Sequence, residues 1–221
     1  VLTIGGSDSG AGAGIQTDLK TLAAHAVYGT TAIAAVTAQN TTGVIASEPV
    51  GLALIREQID AVASDFDIRA VKTGFLGSAQ AVEAVAERLE RWRLPNRVVD
   101  PVLVASDGSR IVAADATRAY IDLFADATLA TPNLREAALL TERAVENKAT
   151  MVAAAEALSD ATGSPTLVTG GHLRVGAGIG EVVDVLVTSD GTHVFSAHRI
   201  PTHNVHGTGC SLASAIAARL A

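Results

Sequence analysis

The chain has 221 residues, 48% of them apolar and 3% aromatic, which is enough for one sizeable core built from Ala, Val, Leu and Ile. A formal net charge of −7 argues against nucleic acid or an anionic membrane as the main partner, and a single cysteine, Cys210, excludes an internal disulfide and fits a reducing compartment. No run is apolar for long enough to span a bilayer, and Val1-Leu2-Thr3-Ile4 opens as a strand without a basic leader, so a soluble, cytoplasmic protein is expected.

In chain order, Val1–Gly5 predicts a strand, Gly6 to Gly14 a glycine-rich loop, and Ile15 to Val27 a helix with Ile15, Leu19, Leu22, Ala23 and Ala26 on one face. Thr30–Val36 predicts a strand, Gly51–Phe66 a helix, Val71–Thr73 a short buried strand, and Ala79–Trp92 a helix. Arg97–Asp100 is a strand stopped by Pro101. The second half continues with a helix over Asp115–Phe124, a strand over Thr128–Ala130, helices over Asn133–Leu140 and Thr150–Thr162, and a strand over Thr166–Val168. Glu181–Thr188 and Thr192–Ala197 predict an antiparallel hairpin, and the last helix starts near Thr208. Alternating strands and helices imply one α/β domain over 1–221, with a mainly parallel sheet, helices on both faces and an antiparallel edge. Ligands bind such sheets at the carboxyl ends of the strands, where Ser7-Asp8, Gln39-Asn40, Asp100, Asn133 and Gly170-Gly171-His172 all fall.

His206-Gly207-Thr208-Gly209-Cys210 is the most pointed of these motifs. Its glycines allow a tight turn, and the N–H groups of a helix start make a pocket for an anion. Cys210 at that rim is either a small core hydrophobe or a thiol whose pKa the helix start lowers, making it a proton acceptor. Gly5 to Gly14 lacks the spacing of a dinucleotide fingerprint and reads as a floor on which a planar molecule meets the backbone. Asp18, one turn into the next helix, either bonds a ligand donor or favours the helix dipole. Asn133 and Glu136 have capping-box spacing, while Asp100 and Glu136 together offer carboxylates suited to magnesium. His203 and His206 lack partner ligands for zinc, and Gly176, Gly178 and Gly180 suggest a mobile loop over a nucleotide.

Taken together, Gly5-Gly6-Ser7-Asp8-Ser9, Gly12 to Lys20, Thr37 to Thr41, Lys72-Thr73-Gly74, Asp100-Pro101-Val102, Thr131-Pro132-Asn133 with Glu136, Gly170-Gly171-His172 and His206 to Cys210 resemble the bacterial hydroxymethylpyrimidine/phosphomethylpyrimidine kinases, in order over nearly the whole chain. The resemblance implies a ribokinase-like fold and an ATP- and magnesium-dependent phosphorylation of 4-amino-5-hydroxymethyl-2-methylpyrimidine, then of its monophosphate, in thiamine biosynthesis. It implies that Gln39 bonds the aminopyrimidine, with Gly6, Ala13, Asp18, Phe75 and Val102 around the substrate. Gly207, Thr208 and Gly209 would form the anion hole, and Cys210 would take the place of the aspartate base of sugar kinases. Asn133, Thr169 and Gly171 would meet ATP, and Asp100 and Glu136 magnesium through water. A homodimer is also implied. Three positions depart from the family's pattern: Thr169 replaces a usual lysine, Phe75 a common methionine, and the sequence stops at Ala221 before a usual final helical segment. The alternatives are a pyridoxine or pyridoxal kinase, and a pyrimidine-binding protein of the same fold with little kinase activity.

Overall fold

In the computed structural model, residues 1–104, 111–171, 173, 180–202 and 204–221 are described. Nine strands among them form one sheet: β1 (Leu2–Asp8), β2 (Thr30–Asn40), β3 (Gly43–Pro49), β4 (Val71–Thr73), β5 (Arg97–Val99), β6 (Leu129–Ala130), β7 (Thr166–Val168), β8 (Glu181–Thr188) and β9 (Gly191–His198). Their order is β3-β2-β1-β4-β5-β6-β7-β8-β9. The run from β2 to β7 is parallel, while β3, β8 and β9 pair antiparallel. Thus both edges are antiparallel, where the sequence predicted one. The chain leaves β1 toward β2 and returns on the other side as β4, so the sheet changes direction between β1 and β4. A crevice at the carboxyl ends of those two strands is where this architecture binds ligands.

The two faces of the sheet can be read from residue alternation. Leu2, Ile4, Val71 and Val99 enter the larger core, under α2 (Leu52–Asp65), α3 (Ala79–Arg91), α4 (Ala114–Phe124), α5 (Leu134–Thr141) and α6 (Lys148–Thr162). Val1, Ala70 and Val98 enter a smaller core with α1 (Gly14–Ala24) and α7 (Thr208–Leu220). Small residues, Ala213, Ser214 and Ala217, line the buried side of α7. The helix starts follow local chemistry: Ser78 accepts from Ala81 N–H at the start of α3, and Asn147 with Thr150 forms a capping box on α6.

Two expectations are corrected at the first hairpin. The glycine-rich stretch does not leave the sheet at Gly6, because β1 continues to Asp8 after a register shift between Gly5 and Gly6. Gly43–Pro49, unassigned from sequence, is a strand. It joins β2 through a turn in which Asn40 Oδ1 accepts from the backbone N–H and the hydroxyl of Thr42. Every residue of β3 is exposed, so it carries no inward apolar alternation to announce it.

At the other end of the parallel run, a Cβ on Gly170 would lie 1.9 Å from the Val183 carbonyl oxygen and 3.0 Å from Met151 Cε, whereas one on Gly171 would meet nothing within 4 Å. Gly170→Ala is therefore expected to cost about 2–3 kcal/mol by overpacking, and Gly171→Ala less than about 0.5 kcal/mol. Thermal unfolding of both variants checks this; equal melting temperatures would show that β7 and β8 tolerate the added methyl.

Candidate active site

A cavity of about 390 Å³ opens at the β1–β4 crevice. Its floor is the end of β1, Gly5 to Asp8, with Ala13 and Gly14 from the following loop. Gln39 and Thr37 of β2 and Val44 and Ser47 of β3 line another part. Phe75, Asp100, Val102 and Asn133 come from the loops after β4, β5 and β6, Arg135 and Glu136 from the first turn of α5, and residues 205–210 from the segment that leads into α7 and its first turn. The structure therefore brings together Gly6, Ala13, Asp18, Gln39, Phe75, Asp100, Val102, Asn133, Glu136 and the Gly207–Cys210 segment. Thr169 and Gly171 are outside its lining. Thr169 N–H instead donates to Pro132 O at 3.0 Å, next to the Asn133 loop, and Gly171 O accepts from Arg199. His172, His203, Gly176 and Gly178 lie outside the described residues.

One carboxylate organises the glycine-rich loop. Asp8 accepts from the N–H groups of Gly10, Gly12 and Ala13 at 2.8, 3.0 and 2.9 Å, and its Oδ2 lies 3.0 Å from His206 Nε2. Burial opposes its charge, but the His206 bond and those three N–H groups outweigh it and hold the carboxyl below the usual range. His206 is therefore a partner of Asp8. The contact also seats the start of α7. Gly207 adopts φ +79°, and a Cβ there would lie 1.9 Å from the Gly12 carbonyl oxygen, so a side chain fits neither the backbone nor the space.

Asp18 has a different task from the one expected. It is fully buried, and Lys72 Nζ lies 2.9 and 3.0 Å from its two oxygens. The hydroxyls of Thr3 and Ser214 also donate to it, the latter at 2.7 Å. Its oxygens are thus taken up by four protein hydrogen bonds, and its contribution to the cavity is to hold Lys72 in place. Burial alone would lower the Lys72 pKa, but the charge of Asp18 above all, with that of Asp100 and the Asp18 hydrogen bond, raises it well above the ordinary lysine value. Lys72 is a cation in the wall of the site.

The expected low-pKa thiol is also corrected. Cys210 is half-buried, and desolvation pushes its thiol up to about 11. The charge of Lys72 and the N–H of Gly14 pull it down, Asp100 and Asp18 push it up, and burial wins. At rest the group is a neutral thiol. Asp100 is raised to about 6, first by burial, with Lys72 opposing. Glu136 is raised to about 8, first by burial and then by the Asp100 charge. Glu136 completes the capping box of α5: Asn133 Oδ1 accepts from Glu136 N–H, and a Glu136 oxygen accepts from Asn133 N–H at 2.9 Å. Its other oxygen accepts from Leu103 N–H at 3.3 Å. Capping and a place in the site wall are both true of this residue.

Lys72, Asp8 and His206 carry structural roles that sequence reasoning did not assign. A lysine inside the short apolar run Ala70-Val71-Lys72-Thr73 was the available signal, because a charge on a buried strand requires a partner. Val44 and Ser47 were missed along with β3. Among the described residues, no cluster of three or more His, Cys, Asp or Glu side chains is placed to hold a metal by itself. No helix among them is long and apolar enough to cross a membrane.

The family described as phosphomethylpyrimidine kinase matches residues 8–221. The hydroxymethylpyrimidine/phosphomethylpyrimidine kinase of Rhizobium meliloti (strain 1021) is 46% identical over 222 residues, covering 100% of this chain and 82% of the relative. The crystal structure of phosphomethylpyrimidine kinase from Clostridium difficile 630 superposes with a TM-score of 0.85 at 37% identity, covering 99% of this chain and 89% of that one. An ADP complex of Bacillus subtilis pyridoxal kinase superposes with a TM-score of 0.90 at 32% identity, covering 99% and 82%.

Two measurements test this electrostatic arrangement. Asp18→Leu leaves the Lys72 charge buried without its partner and is expected to cost about 3–5 kcal/mol, while Asp18→Leu with Lys72→Met recovers more than half of that loss. A double variant as unstable as the single one would contradict the pairing. The second measurement uses pH. Asp100 and Glu136 have raised pKa values, so the folded protein holds more protons than the unfolded chain between about pH 4 and pH 8. Their contribution is complete at acid pH and is lost as pH rises through 8. The stability of the wild type relative to Asp100→Asn, without ligands, is expected to fall from pH 5 to pH 8.5. A constant difference would refute the shifted carboxyls.

Proposed function

The chain belongs to the phosphomethylpyrimidine kinase family, and from that premise we propose that it transfers the γ-phosphoryl group of ATP to 4-amino-5-hydroxymethyl-2-methylpyrimidine and then to the monophosphate, making the pyrimidine half of thiamine. Its fold is ribokinase-like. The observation that carries this reading is a single cavity in which Gln39, Phe75, Cys210 and the start of α7 meet. The ring lies against Gly6, Ala13, Phe75 and Val102, and the Gln39 amide supplies one donor and one acceptor to the aminopyrimidine edge. We place the nucleotide near Asn133, Thr169 and Gly171. The proposed setting is cytoplasmic, in line with the single cysteine, and the proposed state is the homodimer that the resemblance implies.

Helix α7 starts without a side-chain cap, with Gly207 in the left-handed conformation. The N–H groups of Gly209 and Cys210 have no partner among the described residues, so they and the helix dipole can hold the oxygens of the phosphoryl group in flight. Such transfers are loose, and positioning counts for more than a strong base. A thiol near 11 is ionised in about one molecule in ten thousand at neutral pH. Cys210 accordingly orients the substrate hydroxyl as a neutral partner. As the substrate oxygen bonds to phosphorus and the bond to ADP breaks, the hydroxyl proton passes to an oxygen of the transferred phosphoryl group. Asp100 and Glu136 fit a magnesium ion, since two buried carboxyls with raised pKa values gain from a nearby cation. Both Glu136 oxygens already accept backbone N–H bonds, so it would hold the ion through water. The ion supplies neutralisation of the polyphosphate. Thr169 offers a hydroxyl where relatives are expected to place a lysine, so nucleotide affinity leans on backbone N–H groups and magnesium.

ADP release with hydroxymethylpyrimidine, its monophosphate and pyridoxal, compared side by side, tests the reading. Turnover of both pyrimidines, at least about tenfold faster than pyridoxal, is expected. Preference for pyridoxal, or pyrimidine binding without turnover, would overturn it. In the same assay Cys210→Ala is expected to slow the first transfer about tenfold more than the second, whose phosphate nucleophile needs no hydroxyl orientation. Equal losses would remove Cys210 from that role.

A further inference from the structure

Gln39, His206, Asp8 and Thr37 form a hydrogen-bond chain in the cavity wall whose donors and acceptors can be counted. Asp8 is ionised at neutral pH, since its carboxyl is held below the usual range. His206 Nε2, 3.0 Å from Asp8 Oδ2, must therefore carry a proton. Gln39 Nε2 lies 3.4 Å from the same ring nitrogen. An amide nitrogen there would set one donor against another. Thr37 adds a second constraint, because its hydroxyl has one hydrogen and two neighbours that both accept, Ser7 O at 2.9 Å and Gln39 Oε1 at 3.1 Å. Exchanging the amide oxygen and nitrogen of Gln39 resolves both conflicts without moving a heavy atom. The His206 Nε2–H, directed mainly at Asp8 Oδ2 at 3.0 Å, then meets the amide oxygen as the longer, 3.4 Å arm of a shared bond, and no donor faces a donor. The amide nitrogen donates to Thr37 Oγ, and the Thr37 hydroxyl donates to Ser7 O. Ser9 pins the Gln39 backbone at both its N–H and its carbonyl, each at 2.8 Å, so the side chain starts from a fixed point.

We propose that His206 and Thr37 are positioning residues that fix the polarity of the Gln39 amide, so that the cavity selects a 4-aminopyrimidine over its 4-oxo counterpart. The inference rests on the proposed substrate reading and deepens it. The amino form presents a donor at the 4-substituent beside an acceptor ring nitrogen. The oxo form presents the reverse, an acceptor beside a ring N–H. A freely turning amide would satisfy either edge by rotating through 180°. One held at both ends matches a single order and leaves the other with two facing donors and two facing acceptors, which is where polar sites discriminate most strongly.

The test measures kcat and KM for hydroxymethylpyrimidine and its 4-oxo analogue with wild type, His206→Phe and Thr37→Val, each checked for folding by circular dichroism and thermal unfolding. Wild type is expected to favour the amino substrate by about 100-fold or more in kcat/KM. His206→Phe keeps a ring against Gly12 but removes the N–H, and Thr37→Val keeps the β-branched shape but removes the acceptor. Each is expected to lower the preference about tenfold, with the loss on the amino substrate falling on KM more than on kcat. Thr37 is on β2, away from the α7 start, so it carries the test if His206→Phe does not fold. An unchanged preference in the folded variants, or equal slowing of both substrates, overturns the inference and reduces His206 to a structural latch. Wild type accepting both pyrimidines equally also overturns it while leaving the kinase reading intact. Wild type inert toward both defeats the kinase reading itself, and this inference with it.

Discussion

The buried ion pair between Lys72 and Asp18 is the interaction on which the rest of the site depends. Two charges away from water carry a large desolvation cost, offset only when geometry is good and every remaining lone pair is used. Here Asp18 accepts from Lys72, Thr3 and Ser214, which come from β4, β1 and α7, while Asp18 itself belongs to α1. One carboxylate thus ties four elements together at the point where the sheet changes direction. All four side chains lie on the face shared by Ala70 and Val98, where α1 and α7 supply mostly small residues and leave room for a polar cluster. The same lysine moderates the pKa of Cys210 and Asp100. Packing and electrostatics are set by one group.

A second constraint is closeness between segments far apart in sequence. Asp8 gathers the loop after β1, and its bond to His206 brings that loop against residues almost at the other end of the chain. A Cβ on Gly207 would meet the Gly12 carbonyl oxygen and one on Gly12 the His206 ring, so the two segments approach this closely because both positions are glycine. The rim of the cavity is consequently made of backbone amides, which suits oxygens of phosphate and a planar ring better than it would suit a long flexible ligand.

Much of this was legible in the sequence, for reasons that differ by element. Short apolar strands alternating with amphipathic helices gave the parallel sheet, and of their carboxyl-end polar residues Ser7, Asp8, Gln39, Asp100 and Asn133 line one cavity while Gly171 does not. Resemblance over nearly the whole chain implied the Gln39 role, which no periodicity could have done, while the Gly207–Cys210 segment stood out by its own glycines at a helix start. What escaped depended on burial or on distant partners. An entirely exposed β3 has no core face to print a pattern. Asp18 looked available because its partners lie 15, 54 and 196 residues away. Cys210 looked activated by a helix start, but local desolvation, invisible in one dimension, outweighs that dipole.

The balance of charge in the cavity then decides how an acidic protein can hold a polyphosphate. A net charge of −7 gives no long-range attraction to an anion. Lys72 is already matched by Asp18, and Thr169 adds no charge. Arg135 is the remaining Lys or Arg among the lining residues, which also include the acidic Asp100 and Glu136. In the proposed reading, anion binding therefore draws on Arg135, on the open N–H groups at the start of α7, and on a cation brought in with the nucleotide. The raised pKa values of Asp100 and Glu136 are the other side of that arrangement, since burial disfavours their charged forms and an arriving cation favours them. On the proposed reading, such a site is electrostatically completed only when nucleotide and metal enter together.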